Sequence, residues 1–176
     1  MKRVLLTGMS GTGKSTLVAE LVARGYRAVD VDHPDFSQSV SAPREELTGL
    51  GRGQDWVWRE DRVGELLAAA GSGPLFIAGC APNQVKFYPQ FDHIVLLTAP
   101  AEVMVERLTT RTNNSFGKDP DQLSHTLALK EAIEPLLRRG AGLVIDTARP
   151  LEQIVTELLH HTEAVGRPAR HRAHNG

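Results

Sequence analysis

One cysteine, Cys80, is all the thiol chemistry this chain of 176 residues has. That excludes an intrachain disulfide and leaves a zinc site built on thiolates without its ligands. The residue reads as a small apolar filler at a strand end. Apolar runs are short as well, far from the roughly 20 residues a membrane-spanning helix needs. The opening MKRVLLTG has two basic residues and too few apolar ones for a secretory signal, so a cytoplasmic location is expected. Charge of one sign is missing too. Twenty Lys and Arg stand against 21 Asp and Glu, a net charge of −1, which gives no footprint for non-specific nucleic-acid binding. The local exception is GRPARHRAHNG, residues 166–176, where basic residues lack any apolar periodicity; a disordered basic tail over 162–176 is expected. No internal repeat is present, and the length suits a single domain over 1–161. The oligomeric state is left open.

What the chain does have is alternation of apolar runs with helical patterns from end to end, which predicts parallel strands joined by helical crossovers. RVLLTG, YRAVDVD, PLFIAGC, FDHIVLLTA and GLVIDT read as five strands. Helices are expected after the first glycine-rich loop, over DWVWREDRVGELLAAAG, PAEVMVERLTTR and PDQLSHTLALKEAIEPLLRRG, and over PLEQIVTELLHH. Residues 33–54 carry Pro, Gly and Ser in no periodic order and read as a mobile substrate-binding connection. Residues 111–120, around TNNSFGK, read as a short lid.

The chemistry begins in VLLTGMSGTGKSTLV. Gly8 to Ser15 fits G-x-x-x-x-G-K-[ST] without a mismatch, after a predicted strand and before a predicted helix, the context a phosphate-binding P-loop requires. Glycines let the backbone turn tightly so that successive N–H groups face an anion, and the helix N-terminus adds its own donors and dipole. Gly8, Ser10, Gly11, Thr12, Gly13, Lys14, Ser15 and Thr16 are therefore expected to bind a nucleoside triphosphate, with Lys14 at the β- and γ-phosphates and Ser15 as a ligand of Mg²⁺. The expected fold class is α/β: a three-layer α/β/α P-loop NTPase fold with a five-stranded parallel sheet and a short lid.

A P-loop alone does not name a reaction. The N-K-x-D signature of a guanine switch is missing after the fourth strand. PLFIAGC ends without the acidic pair that a motor or AAA-type ATPase would place there, and that class is set aside. The N-terminal P-loop, the D-x-D ending strand two and ERLTTR before a polar loop resemble the shikimate kinase and nucleoside monophosphate kinase group over residues 1 to 160. The resemblance implies an ATP- and Mg²⁺-dependent kinase acting on a hydroxyl or phosphate of a small metabolite or nucleotide. It implies that Asp30 holds Mg²⁺ through water and that Asp32 grips the acceptor hydroxyl or takes its proton. Arg107 would stack on adenine, Arg111 would reach the phosphates, Lys118 would come in with the lid, and Thr147, Arg149 and Pro150 would lie against the base. Arg59 and Gly79 are the implied substrate contacts, Arg59 for an acidic group, while Arg44 and Arg52 could serve a nucleotide acceptor. A natural-product phosphotransferase and a nucleotide-binding regulatory ATPase module remain as alternatives.

Overall fold

The computed structural model describes residues 1–41, 54–112 and 118–162. In chain order these form β1 (Arg3–Thr7), α1 (Lys14–Ala23), β2 (Arg27–Asp30), β3 (Ser37–Ser41), β4 (Gln54–Trp58) and α2 (Glu60–Ala68). β5 (Leu75–Ala78), a 3₁₀ segment (Pro82–Gln90), β6 (His93–Thr98), α3 (Ala101–Thr110), α4 (Pro120–Gly140), β7 (Leu143–Asp146) and α5 (Leu151–His161) follow.

Five parallel strands pair in the order β2-β5-β1-β6-β7. β1 lies in the middle between two strands that come much later in sequence, so the chain leaves it in one direction and returns on the other side. That switch point opens a crevice at the carboxyl end of β1, where open α/β sheets bind ligands. β1 is buried on both faces, as its unbroken apolar run requires. Val4 and Leu6 pack with Leu17 and Leu21 of α1 and Ile154 and Leu158 of α5. Leu5 faces the other way, onto Trp58, Val63, Leu67 and Phe87. α3 and α4 close a third cluster around Leu96, Met104, Leu129 and Leu137. No helix among the described residues is long and apolar enough to cross a membrane.

The five strands and their order of helices follow the sequence pattern; the region after β2 departs from it. Residues 54–58 form β4, although 55–58 are expected in a helix; it pairs antiparallel with β3 in a separate two-stranded sheet with Ser37 opposite Trp58 and Val40 opposite Asp55. Trp56-Val57-Trp58 favours a half-buried pleated surface over a helix, and α2 starts only after extended Arg59, with Glu60 and Asp61 in its first turn. The 33–54 connection thus contains strand Ser37–Ser41; its remainder, 42–53 with Arg44 and Arg52, lies outside the described residues, as do 113–117 of the lid and 163–176 of the tail.

One polar network stiffens the α4 side. Glu134 accepts from Thr98 at the end of β6 (2.9 Å) and from Arg138 (3.2 Å), and pairs with Lys130; its side chain is 12% exposed. Burial alone would raise this carboxyl, but the hydrogen bonds from Lys130 and Thr98 and the charge of Lys130 outweigh it and hold it below its ordinary 4.5. A depressed carboxyl stabilises the fold above its unfolded value and loses that contribution as pH falls through the lower folded value. Glu134→Gln should therefore cost about 1–2 kcal/mol near neutral pH and lower Tm by roughly 2–8 °C. The gap from wild type should close as both are melted at pH values stepped down below 4.5; a gap independent of pH would contradict the assignment.

Candidate active site

The P-loop runs from the end of β1 into α1. Gly8 has φ 153°, and a Cβ there would lie 2.3 Å from the Leu97 carbonyl oxygen of β6, so no other residue fits without displacing backbone. Gly13, the residue before α1, is left-handed at φ 89°. Between them Thr12 fixes the turn, its hydroxyl donating to the Met9 carbonyl at 2.8 Å.

Lys14 Nζ donates to the Gly8 carbonyl at 2.6 Å and the Met9 carbonyl at 3.3 Å, and stands 3.8 Å from Asp32 Oδ2. Its side chain is 10% exposed, so its charge acts with little screening by water. Ser15 Oγ donates to Asp30 Oδ2 at 2.9 Å. This pair of hard oxygen donors beside the phosphate loop suits Mg²⁺, which is held by one or two protein oxygens with phosphate and water completing its shell. Among the described residues no cluster of three or more His, Cys, Asp or Glu offers an all-protein cage.

Asp32 follows β2, its backbone N–H held by Asp30 Oδ1 at 3.0 Å. Its carboxylate accepts from the Cys80 N–H (3.0 Å to Oδ1) and from Trp58 Nε1 (3.4 Å to Oδ1), while Trp56 Nε1 donates to its carbonyl at 3.1 Å. Burial pushes this carboxyl above the ordinary range, with Lys14 and the Cys80 N–H pulling the other way and Asp30 adding to the rise. Gly79 stands directly behind: a Cβ would approach Asp32 Oδ1 and Val31 Cγ2 at 2.8 Å and Trp58 Cζ2 at 3.0 Å. Its part is to leave room for the carboxylate. Cys80 is a half-buried thiol whose desolvation raises its pKa, the opposite of a reactive thiolate.

Arg107 of α3 spans the other side of the loop. Nη1 donates to Thr147 Oγ1 (2.9 Å) and Gly11 O (3.4 Å), and Nη2 to Thr147 O (2.7 Å). Thr147 in turn donates to the Thr12 carbonyl at 2.9 Å. The guanidinium thus ties α3, the P-loop and the β7–α5 turn together.

A cleft of about 990 Å³ gathers Ser10, Gly11, Gly13, Lys14, Ser15 and Thr16 of the loop with Asp30 and Asp32, and with Arg107, Arg111, Thr147 and Arg149. Burial lowers the pKa of Arg111; Arg149 bonds to the Asp146 carbonyl and pairs with Glu157. Gly8, Thr12, Gly79 and Pro150 support this lining without forming it. Two expected contacts are not brought in: Arg59 turns its Nε onto the Ser37 carbonyl at 3.4 Å, and Lys118 is exposed away from the lining. Sequence reasoning missed the two indole clamps on Asp32. Their alternate spacing, read as a strand, would have placed both N–H groups on one side.

The sheet order, the P-loop and the lysine–carboxylate pair define a P-loop phosphotransferase of the small-molecule kinase group. A shikimate kinase of Geobacter sulfurreducens is 30% identical over 166 residues, covering 89% of this chain and 88% of its own. A solved shikimate kinase of Acinetobacter baumannii, in complex with shikimate, has the same fold at a TM-score of 0.55 and 20% identity, covering 92% of this chain and 94% of that one. The chain belongs to the AAA domain family, whose profile matches residues 4–148. That overturns the setting aside of AAA-type domains: β5 indeed ends in Ala78-Gly79-Cys80, but the carboxylate beside the loop comes from Asp32 after the neighbouring β2. A nucleotide-binding protein of Erythrobacter litoralis is 29% identical over 179 residues, 91% of this chain; the chain spans about half of that relative, 52%.

Proposed function

We propose that the chain is an ATP- and Mg²⁺-dependent kinase that transfers the γ-phosphoryl group to a hydroxyl of a small metabolite. The observation that carries this reading is the 3.8 Å approach of Lys14 Nζ to Asp32 Oδ2 in one cleft: a cation for the phosphates beside a carboxylate for the acceptor. The loop amides and Lys14 bind the triphosphate, and Arg107 and Thr147 frame the nucleoside end. Ser15 and Asp30 would hold Mg²⁺, which would supply neutralisation of the phosphate charge. Asp32 orients the acceptor hydroxyl and takes its proton as the acceptor oxygen bonds to the γ-phosphorus; the bond from that phosphorus to the bridging oxygen breaks and ADP leaves with the electron pair. A carboxyl raised by burial is the better proton acceptor for this step.

Calorimetry should show ATP binding that strengthens with Mg²⁺, and hydroxylated metabolites should stimulate ADP release. Indifference to ATP and GTP alike in the presence of Mg²⁺ would overturn the reading.

A further inference from the structure

We infer that Asn83 is a positioning residue for phosphoryl transfer: its amide holds the backbone of Trp58 and so aims the indole N–H that orients the Asp32 carboxylate. This rests on the kinase reading above and adds to it a residue set back from the cleft. Asn83 stands in the 3₁₀ segment Pro82–Gln90, of which the cleft lining takes only Pro82.

Trp58 ends β4 opposite Ser37 of β3, and the neighbouring ladder bond runs from the Arg59 N–H to the Phe36 carbonyl at 2.7 Å. That makes Trp58 and Ser37 a non-hydrogen-bonded pair, so both backbone polar groups of Trp58 face the outer edge of the ribbon. Such an edge is ordinarily left to water, but Trp58 is 1% exposed, and its groups need partners from the protein. Asn83 supplies both: Oδ1 accepts from the Trp58 N–H at 3.0 Å, and Nδ2 donates to the Trp58 carbonyl at 2.9 Å. An amide presents acceptor and donor on separate atoms, as a neighbouring strand would; a carboxylate or an aliphatic chain of the same shape does not. From that fixed backbone the indole reaches Asp32, with Nε1 3.4 Å from the Oδ1 that also accepts from the Cys80 N–H at 3.0 Å. A bond already that long weakens with any further displacement of Trp58. The 3₁₀ segment has anchors that do not pass through Asn83. Gln84 Oε1 accepts from the buried Thr7 hydroxyl at 3.0 Å, the buried Phe87 ring lies 5.7 Å from that of Trp58, and Lys86 pairs with Glu60 at 2.6 Å. Loss of the Asn83 amide should therefore free the Trp58 backbone without unseating the segment.

The test takes the full chain with ATP and Mg²⁺ and uses water as the acceptor. Asp32 then takes a proton from the water as its oxygen bonds to the γ-phosphorus, and the bridging P–O bond breaks, giving inorganic phosphate and ADP, which leaves with the electron pair. Asn83→Ala should lower kcat for this hydrolysis about tenfold while the KM for ATP stays within about twofold. Trp58→Phe should lower kcat to a similar degree, and the double variant should lose no more than either alone. A merely structural Asn83 would multiply its loss onto that of Trp58→Phe. A second readout is spectroscopic: the chain has two tryptophans, and of their indole N–H resonances the one absent from Trp58→Phe should move further in Asn83→Ala than the other. Multiplying losses in the double variant, or an unmoved Trp58 indole in folded Asn83→Ala, overturns the inference. If Asn83→Ala fails to fold, the wild-type chain still decides: the Trp58 backbone N–H should be protected from deuterium exchange, and rapid exchange overturns the assignment. The resonance and exchange measurements need no turnover, so a failure to bind ATP would strike the kinase reading and leave them standing.

Discussion

Lys14→Ala should reduce phosphoryl transfer by about 10²–10³-fold, the usual loss when a preorganised charge aimed at the transition state is removed. Lys14 is 10% exposed and bonded to the Gly8 and Met9 carbonyls, so its ammonium is already placed and desolvated before a substrate arrives. Little reorganisation is then needed as charge builds on the transferring group. Alanine also leaves Asp32 without its nearest cation, which lets burial push that carboxyl higher still. Arginine should not rescue the rate, because a planar fork cannot occupy the space of a compact ammonium between Gly8, Met9 and Asp32. Single-turnover transfer and calorimetric ATP binding on wild type, Lys14→Ala and Lys14→Arg measure this. A transfer rate within a few-fold of wild type for the alanine variant would remove Lys14 from the chemistry.

The parts of this site that are local along the chain are legible in the sequence itself. A P-loop is one contiguous turn whose glycines, lysine and serine do their work within eight positions, and the strand preceding it and the helix following it are marked by continuous and 3.6-residue apolar patterns. Asp30 and Asp32 are legible for the same reason, since Asp30 ends β2 and Asp32 lies two residues beyond it. What escapes the sequence is contact made across the fold. Trp56 and Trp58 reach Asp32 only because β4 pairs with β3 beside the end of β2, and a short run with two tryptophans ahead of an amphipathic helix reads equally well as that helix's first turn. The same slip misplaces Arg59. In a helix it would share a face with Val63; as the extended residue preceding α2 it points to Ser37 instead. The tie from Arg107 to Thr147 joins residues 40 apart in sequence, a distance at which residue type suggests a role in binding phosphate or base but not the partner.

Asp32→Asn separates the two demands on this residue. The amide keeps the shape, and its carbonyl oxygen can still accept from the Cys80 and Trp58 N–H groups that now hold Oδ1. What it cannot do is take a proton, so kcat should fall by about 10²–10⁴-fold with ATP affinity close to wild type. Stability should move the other way. A carboxyl raised in the folded state favours its protonated form there, and once pH exceeds the folded value the buried charge works against folding. Removing that charge should raise Tm at neutral pH, with a gain on the order of 0.5–2 kcal/mol, as is common when a functional residue is relieved of its strain. The pH profile gives the independent check. Wild-type kcat should rise along an acid limb centred above the ordinary Asp value of 3.8, and Asp32→Asn should lack that limb. Trp58→Phe removes a donor that lowers the Asp32 carboxyl, so it should shift the limb to higher pH while sparing ATP binding. An acid limb unchanged in all three proteins would show that Asp32 does not carry the proton, leaving Lys14 and the loop with a nucleotide but no base.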